Sequence, residues 1–217
     1  MIRTIAGLYA ITDTALLAGR LQSAVAAALA GGVSVLQYRD KSDDRERRLQ
    51  EALMLRDCCR AHGALLLIND DVELALACAA DGVHLGQGDL ALTAARARLG
   101  TDAIIGITCH DSLALARQAV EGGADYLAFG AMHPSRSKPG ARPCPPEVLT
   151  EARRLFTLPL VAIGGITPDN AGDIRRAGAD AIAVIAGLWQ GEDIRMRAQD
   201  YLQEFHAHEQ QPFRYPV

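Results

Sequence analysis

Arg39 and Lys41 place a planar bidentate fork beside a compact point cation, inside the segment Gln37-Tyr38-Arg39-Asp40-Lys41. Further on, Asn69-Asp70-Asp71 and Gly86-Gln87-Gly88-Asp89 bring carboxylates in two separate short segments. Mg²⁺ usually takes one or two carboxylates and leaves its remaining positions to water and substrate phosphates. Two cations beside a carboxylate-held Mg²⁺ form a set that grips a diphosphate and stabilises its departure. Asn69 adds an amide donor to the same group. The competing roles are helix N-caps, for Asp70 or Asp71 and, on segment 91–99, for Asp89. Either cap taken alone would be favoured. Flanked by Arg39, Lys41 and Asn69, Asp70 and Asp89 read as metal ligands.

A second constellation is built from small residues. Gly164-Gly165-Ile166 and Ile185-Ala186-Gly187 would let backbone N–H groups converge on a phosphate, helped by a short helix N-terminus. The plainer role for Gly-Gly is a tight turn. All but two of the 22 basic residues are Arg, and the exceptions are Lys41 and Lys138. An Arg-favouring chain that keeps Lys at two Gly/Ser/Pro/Asp-containing segments marks both for attention. His84 sits within a strand and reads as a satisfied core imidazole. His110 and His133 lie in strand-end segments, but nothing pairs them with a nucleophile, and Cys109 has no positioned base.

These residues need elements to hold them. Strand-like runs recur at 8–12, 34–38, 65–69, 82–85, 104–108, 126–130, 160–163 and 181–185. Segments of helical character lie between and after them, at 20–31, 43–61, 71–79, 91–99, 111–122, 145–156, 168–177 and 195–206. Several reach the next strand through Gly-bearing turns, as helix C-caps do. Eight βα units in a chain of 217 residues predict an α/β fold, a single (β/α)₈ TIM barrel over residues 1–209 with a loosely held tail at 210–217. An open doubly wound sheet would more often carry a Gly-rich first turn, and Ile11-Thr12-Asp13-Thr14 is not one. In a barrel, function belongs at the C-terminal strand ends, where every charged segment above falls.

Composition narrows the class. Apolar residues make up 49% and charged residues 22%, which suits a packed core. A net charge of −4 gives no general attraction to nucleic acid or to an anionic membrane, so neither is expected as a partner. The longest apolar runs are too short to cross a bilayer, and the N-terminus carries no signal-like run. Five cysteines (Cys58, Cys59, Cys78, Cys109, Cys144) without metal-ligand spacing point to reduced thiols and a cytoplasmic setting. Whether the chain forms a homo-oligomer is left open.

The series Leu8-Tyr9-Ala10-Ile11-Thr12-Asp13, Gln37-Tyr38-Arg39-Asp40-Lys41, Ile68-Asn69-Asp70, Gly82-Val83-His84-Leu85-Gly86-Gln87 and Ile163-Gly164-Gly165-Ile166 resembles the thiamine phosphate synthase family, in order and spacing, from about residue 8 to residue 190. The resemblance implies a (β/α)₈ transferase that uses Mg²⁺. It would join a pyrimidine diphosphate to a thiazole phosphate and release diphosphate through a dissociative displacement. It further implies that Gln37, Tyr38, Arg39, Asp40 and Lys41 hold the pyrimidine diphosphate and that Asn69 touches its phosphates. By the same resemblance Asp70 and Asp89 bind Mg²⁺, Thr108 lies against the pyrimidine and Lys138 against the leaving diphosphate. Arg39, Lys41 and Lys138 would then be the catalytic cations. Ser135, Ser137, Gly165, Ile185 and Ala186 would receive the thiazole phosphate, and Arg136 either grips it or points into solvent.

Departures from the family pattern are confined to a few positions. Tyr38 stands for Leu or Phe, Asp40 for Glu, and Thr108 for Ser. Ser135-Arg136-Ser137-Lys138 stands for Thr-Pro-Thr-Lys, and Ala186 for Ser. None removes a metal ligand or a diphosphate cation. Two rivals remain: a thiazole tautomerase of the same fold, which has no use for a diphosphate grip, and a non-catalytic sensor of phosphate ligands.

Overall fold

The computed structural model describes residues 4–134 and 142–207. Its eight parallel strands are β1 (Gly7–Ile11), β2 (Val35–Tyr38), β3 (Leu65–Asn69), β4 (Gly82–Leu85), β5 (Ile104–His110), β6 (Tyr126–Gly130), β7 (Leu160–Ile163) and β8 (Ala181–Val184). They pair in sequence order, and β8 closes on β1 with Leu8 opposite Ile182. Helices α1 (Leu21–Ala30), α2 (Arg45–His62), α3 (Val72–Cys78) and α4 (Leu92–Leu99) follow the first four strands. Helices α5 (Leu113–Glu121), α6 (Pro146–Leu155), α7 (Pro168–Arg176), α8 (Ala186–Trp189) and α9 (Ile194–His206) follow the others. The predicted single (β/α)₈ TIM barrel is the observed fold. Among the described residues, no helix is long and apolar enough to cross a membrane. The predicted tail at 210–217 lies outside the described residues.

Strand alternation sorts the core into two layers. Tyr9, Ile11, Val35, Leu65, Leu67, Tyr126, Val161 and Ala181 pack together inside the barrel. Their chain neighbours Leu8, Ala10, Leu36, Leu66, Leu127 and Ile182 pack outward under the helices. Burial on both faces explains why the strands read as near-continuous apolar runs.

The strand starts carry a repeated clamp. Asp81, Asp125 and Asp180 each precede an even-numbered strand, and their side chains accept the backbone N–H of Leu66, Ile105 and Leu160 at 2.7–2.8 Å. Arg96 and Arg153 then bridge to Asp125 and Asp180 at 2.6 and 2.7 Å. Each Asp thereby ties its strand to the preceding one at the end of the barrel remote from the charged segments.

Several boundaries differ from the expected ones by a residue or two, and two of the differences bear on the site. β8 ends at Val184, because Ile185 takes φ −123° and ψ −99° and turns the chain into the four-residue helix α8. β5 runs on to His110 through an irregularity that leaves Cys109 unpaired between Thr108 and His110. Cys109 is thereby buried on the outer side, among the residues under the helices.

Candidate active site

At the end of β1, Thr12 is 2% exposed and clamps the next strand's exit. Its Oγ1 accepts from Arg39 N at 2.7 Å and donates to Arg39 O at 3.3 Å. On β2, Gln37 points into the barrel, where its Nε2 donates to Tyr9 OH at 2.6 Å. Tyr38 faces outward, and its hydroxyl donates to Glu51 on α2 at 2.6 Å. The Asp40 side chain turns inward beneath the loop, accepting from Ser42 N at 2.7 Å and pairing with Arg47 at 2.7 Å. The Tyr38 and Asp40 side chains are thus engaged with α2 and its approach.

Lys41, Asn69, Asp70 and Asp89 are brought together. Lys41 Nζ and Asn69 Nδ2 both donate to Asp70 Oδ2, the latter at 2.7 Å. Asp70 adopts φ +62°, a left-handed backbone that a non-glycine residue takes only at a cost. Asp89 Oδ2 accepts from Gly86 N at 2.7 Å. The Asp89 carboxyl is pushed up from its ordinary value by the protein packed against it and by the Asp70 carboxylate, which lies within hydrogen-bonding reach. Neither acid caps a helix. Asp71 caps α3 by accepting from Leu74 N at 2.9 Å, and α4 has no side-chain cap at Ala91. Lys41, Asn69 and Asp70 line a cleft of about 440 Å³ together with Asp40, Arg48 and Asp71.

Two oxygen-bearing carboxylates held against each other are what a hard divalent cation relieves, so the donor set fits Mg²⁺. No group of three or more His, Cys, Asp or Glu ligands occurs among the described residues.

Across the mouth, the β6 exit is zipped to the β7 turn. Met132 N donates to Ile163 O at 2.9 Å, and His133 N donates to Gly164 O at 3.0 Å. Gly165 has φ +61°, and a Cβ there would sit 2.6 Å from Pro134 O, so no side chain fits. The tight turn therefore accounts for this glycine by packing alone. Tyr201 of α9 donates to Ile166 O at 3.0 Å, and its hydroxyl would lie 2.3 Å from a Cβ on Gly187. It holds the β7 and β8 turns, with Gly165, Ile185 and Ala186, in one place. Ser135, Arg136, Ser137 and Lys138 lie outside the described residues.

His84, expected as a satisfied core imidazole, has both ring nitrogens bonded, Nδ1 to Tyr126 OH at 2.7 Å and Nε2 to Thr108 Oγ1 at 2.8 Å. Thr108 is therefore on the inner face of the barrel, partly exposed towards the mouth. His110 is exposed at φ +52°. His133 Nε2 is buried with no hydrogen-bond partner among the described residues. Burial pushes the Cys109 thiol up to about 12, which removes it as a thiolate nucleophile at neutral pH. Sequence reasoning missed Thr12, Tyr9 and Tyr126 as parts of the site's support.

The thiamine monophosphate synthase family model matches residues 8–188. The chain belongs to that family. It is 54% identical over 205 residues to thiamine-phosphate synthase from Marinobacter nauticus, covering 93% of this chain and 92% of the relative. Identity to the enzyme of the same name from Chromobacterium violaceum is also 54%, over 193 residues, with 89% and 93% covered. Among solved structures, a thiamine phosphate pyrophosphorylase from Pyrococcus furiosus superimposes with a TM-score of 0.87 at 34% identity, covering 96% of this chain and 99% of that one. Membership makes the chain a transferase of thiamine biosynthesis.

Proposed function

We propose that this member of the family joins 4-amino-2-methyl-5-(diphosphooxymethyl)pyrimidine to 4-methyl-5-(2-phosphooxyethyl)thiazole, giving thiamine phosphate and diphosphate. The observation that carries the reading is the contact of Lys41 and Asp89 with Asp70, Lys41 lying two residues after Arg39. A tautomerase or a sensor has no use for that set.

Arg39 grips the diphosphate as a fork and Lys41 as a point charge, while Asn69 orients the Asp70 carboxylate. Asp70 and Asp89 would hold Mg²⁺, which when bound supplies positive charge to the diphosphate oxygens. The bond between the pyrimidine methylene carbon and the diphosphate oxygen breaks, and its electron pair leaves with the diphosphate. The exocyclic amino group spreads the positive charge left on the methylene carbon. The thiazole nitrogen then closes the new C–N bond with its lone pair. No protein nucleophile or base is needed, so the barrel's work is to align two substrates and stabilise a departing anion. Lys138 takes the leaving diphosphate in this scheme. The thiazole phosphate falls to Ser135, Ser137, Gly165, Ile185 and Ala186, with Arg136 as a further candidate.

The test is release of diphosphate by the purified protein, expected only when both substrates and Mg²⁺ are present. Release from the pyrimidine substrate alone would make it a hydrolase. Isomerisation of a thiazole without diphosphate release would make it the tautomerase, and binding without turnover a sensor.

A further inference from the structure

Five polar side chains form a single file through the barrel. Gln37 Nε2 donates to Tyr9 OH at 2.6 Å, and Tyr9 OH lies 2.9 Å from Tyr126 OH. Tyr126 OH lies 2.7 Å from His84 Nδ1, and His84 Nε2 lies 2.8 Å from Thr108 Oγ1. The file crosses from β2 through β1, β6 and β4 to β5. Its near end is sealed, with Gln37, Tyr9 and Tyr126 at 3%, 1% and 0% exposure. Its far end, His84 and Thr108, is partly open. Gly106 admits the Tyr126 ring, since a Cβ there would fall 1.9 Å from Tyr126 Cζ.

With Gln37 Nε2 as the donor to Tyr9, the protons in this file follow one order. Burial pushes both phenol pKa values far above the ordinary 10.0, so each hydroxyl keeps one proton to place. Tyr9 already receives an amide hydrogen from Gln37, so its own proton goes to Tyr126. Tyr126 then donates to His84 Nδ1, which leaves a neutral ring its N–H on Nε2, directed at Thr108. Thr108 Oγ1, already an acceptor within the file, has its own proton left for the mouth. Turning the Gln37 amide over would reverse every bond, and Thr108 would then spend its proton on His84.

We propose that this file makes Thr108 a hydrogen-bond donor to the substrate, with Tyr9, Tyr126 and His84 as positioning residues acting through it. The inference deepens the proposed function and rests on it in one respect, that Thr108 faces the pyrimidine. A donor there selects a ring nitrogen with a free lone pair, as beside the exocyclic amino group of a 4-aminopyrimidine. The 4-oxo analogue protonated at that nitrogen would meet Thr108 proton to proton, leaving a donor unpaired.

Two measurements test it. Long-range ¹H–¹⁵N NMR of the full chain, with the His84 signals assigned by their loss in His84→Gln, should show the neutral Nε2–H tautomer. The Nδ1–H tautomer would overturn the proposal, and this arm needs no turnover. Secondly, Tyr126→Phe should raise KM for the pyrimidine diphosphate about three- to tenfold, the span of one neutral hydrogen bond, and leave KM for the thiazole phosphate unchanged. In a Thr108→Val background the same substitution should add nothing, whereas in Thr108→Ser its effect should return. Equal effects of Tyr126→Phe in all backgrounds would show that Tyr126 only supports the barrel and would overturn its action through Thr108. Failure of both substrates to react would strike the proposed function instead, and the tautomer would still decide the direction of the file.

Discussion

Asp40 separates a residue that touches substrate from one that holds the loop that does. Its side chain is 1% exposed and sits beneath the turn that carries Arg39 and Lys41. Replacing it with Ala removes the acceptor of Ser42 N–H, a hydrogen bond to a charged group worth about 1.5–3 kcal/mol. The Arg47 pair adds at most about 1 kcal/mol, because Arg47 is partly exposed and retains Glu51. Asp40→Ala should therefore cost about 2–4 kcal/mol, seen as a fall in Tm of about 5–15 °C for a chain of this size. KM for the pyrimidine diphosphate should rise with it, and KM for the thiazole phosphate should stay close to its starting value. Stability comes from thermal and urea unfolding, and the KM values from diphosphate release. A loss below about 1 kcal/mol, or an equal rise in both KM values, would refute the assignment of Asp40 as the loop's anchor.

The pH dependence of stability has a definite sign at the same position. Burial alone would raise the Asp40 pKa, but Ser42 N–H and the Arg47 guanidinium outweigh it and hold the carboxyl below its ordinary 3.8. A depressed carboxyl contributes its stability above the ordinary value and loses it as pH falls through the lower folded one. Asp40→Asn should therefore flatten the acid arm of the stability profile.

Asp89 should behave in the opposite sense. Its pKa is raised, so in the window above 3.8 the folded chain keeps a proton that the unfolded chain has lost, and stability falls as pH rises through that window. Asp89→Asn should raise Tm at neutral pH without Mg²⁺ while abolishing Mg²⁺-dependent turnover, and Asp70→Asn should abolish that turnover too; a Tm lower than that of the parent chain, or unchanged Mg²⁺ titrations, would count against a shared cation site. Lys138→Met should depress kcat far more than it raises KM, and Lys138→Arg should be a poor substitute, which single-turnover rates would reveal. Asp125→Ala orphans the N–H of Ile105, which is 0% exposed, and should cost about 2–4 kcal/mol in urea unfolding while both KM values stay unchanged.

The barrel was legible because strands buried on both faces must be apolar along their whole length, and runs such as Leu65–Ile68 cannot belong to an exposed sheet. The end of β8 was not, since Ile185 is as apolar as the strand before it and a four-residue helix has no period to read. Lys41, Asn69, Asp70 and Asp89 could be grouped from the sequence because the βα alternation puts these polar residues at the exits of neighbouring strands. Tyr38 and Asp40 were grouped with them by resemblance, although alternation from Val35 puts Gln37 inward and Tyr38 outward. The strand-start clamp left a trace in the Ala-Asp pairs at 80–81, 124–125 and 179–180. Its meaning appears only when the neighbouring strand is known. The same is true of Tyr9 and Tyr126, whose hydroxyls meet across 117 residues of chain.

The two ends of the barrel divide stability from function. At the strand starts, each clamp Asp accepts a backbone N–H from the strand beside it, and Arg96 and Arg153 balance two of those charges. At the strand exits, Asp70 and His110 take left-handed backbones, and Asp70 and Asp89 hold like charges against one another. Such features cost stability unless a ligand relieves them, and they persist only where the surrounding fold over-determines them. Inside the barrel, Thr108 is held by His84, which is backed in turn by the sealed Tyr126, Tyr9 and Gln37. A substitution at the strand starts should therefore register first in unfolding and one at the exits first in substrate dependence. Asp40 is the exception, because its carboxylate lies at an exit and yet does the work of a clamp.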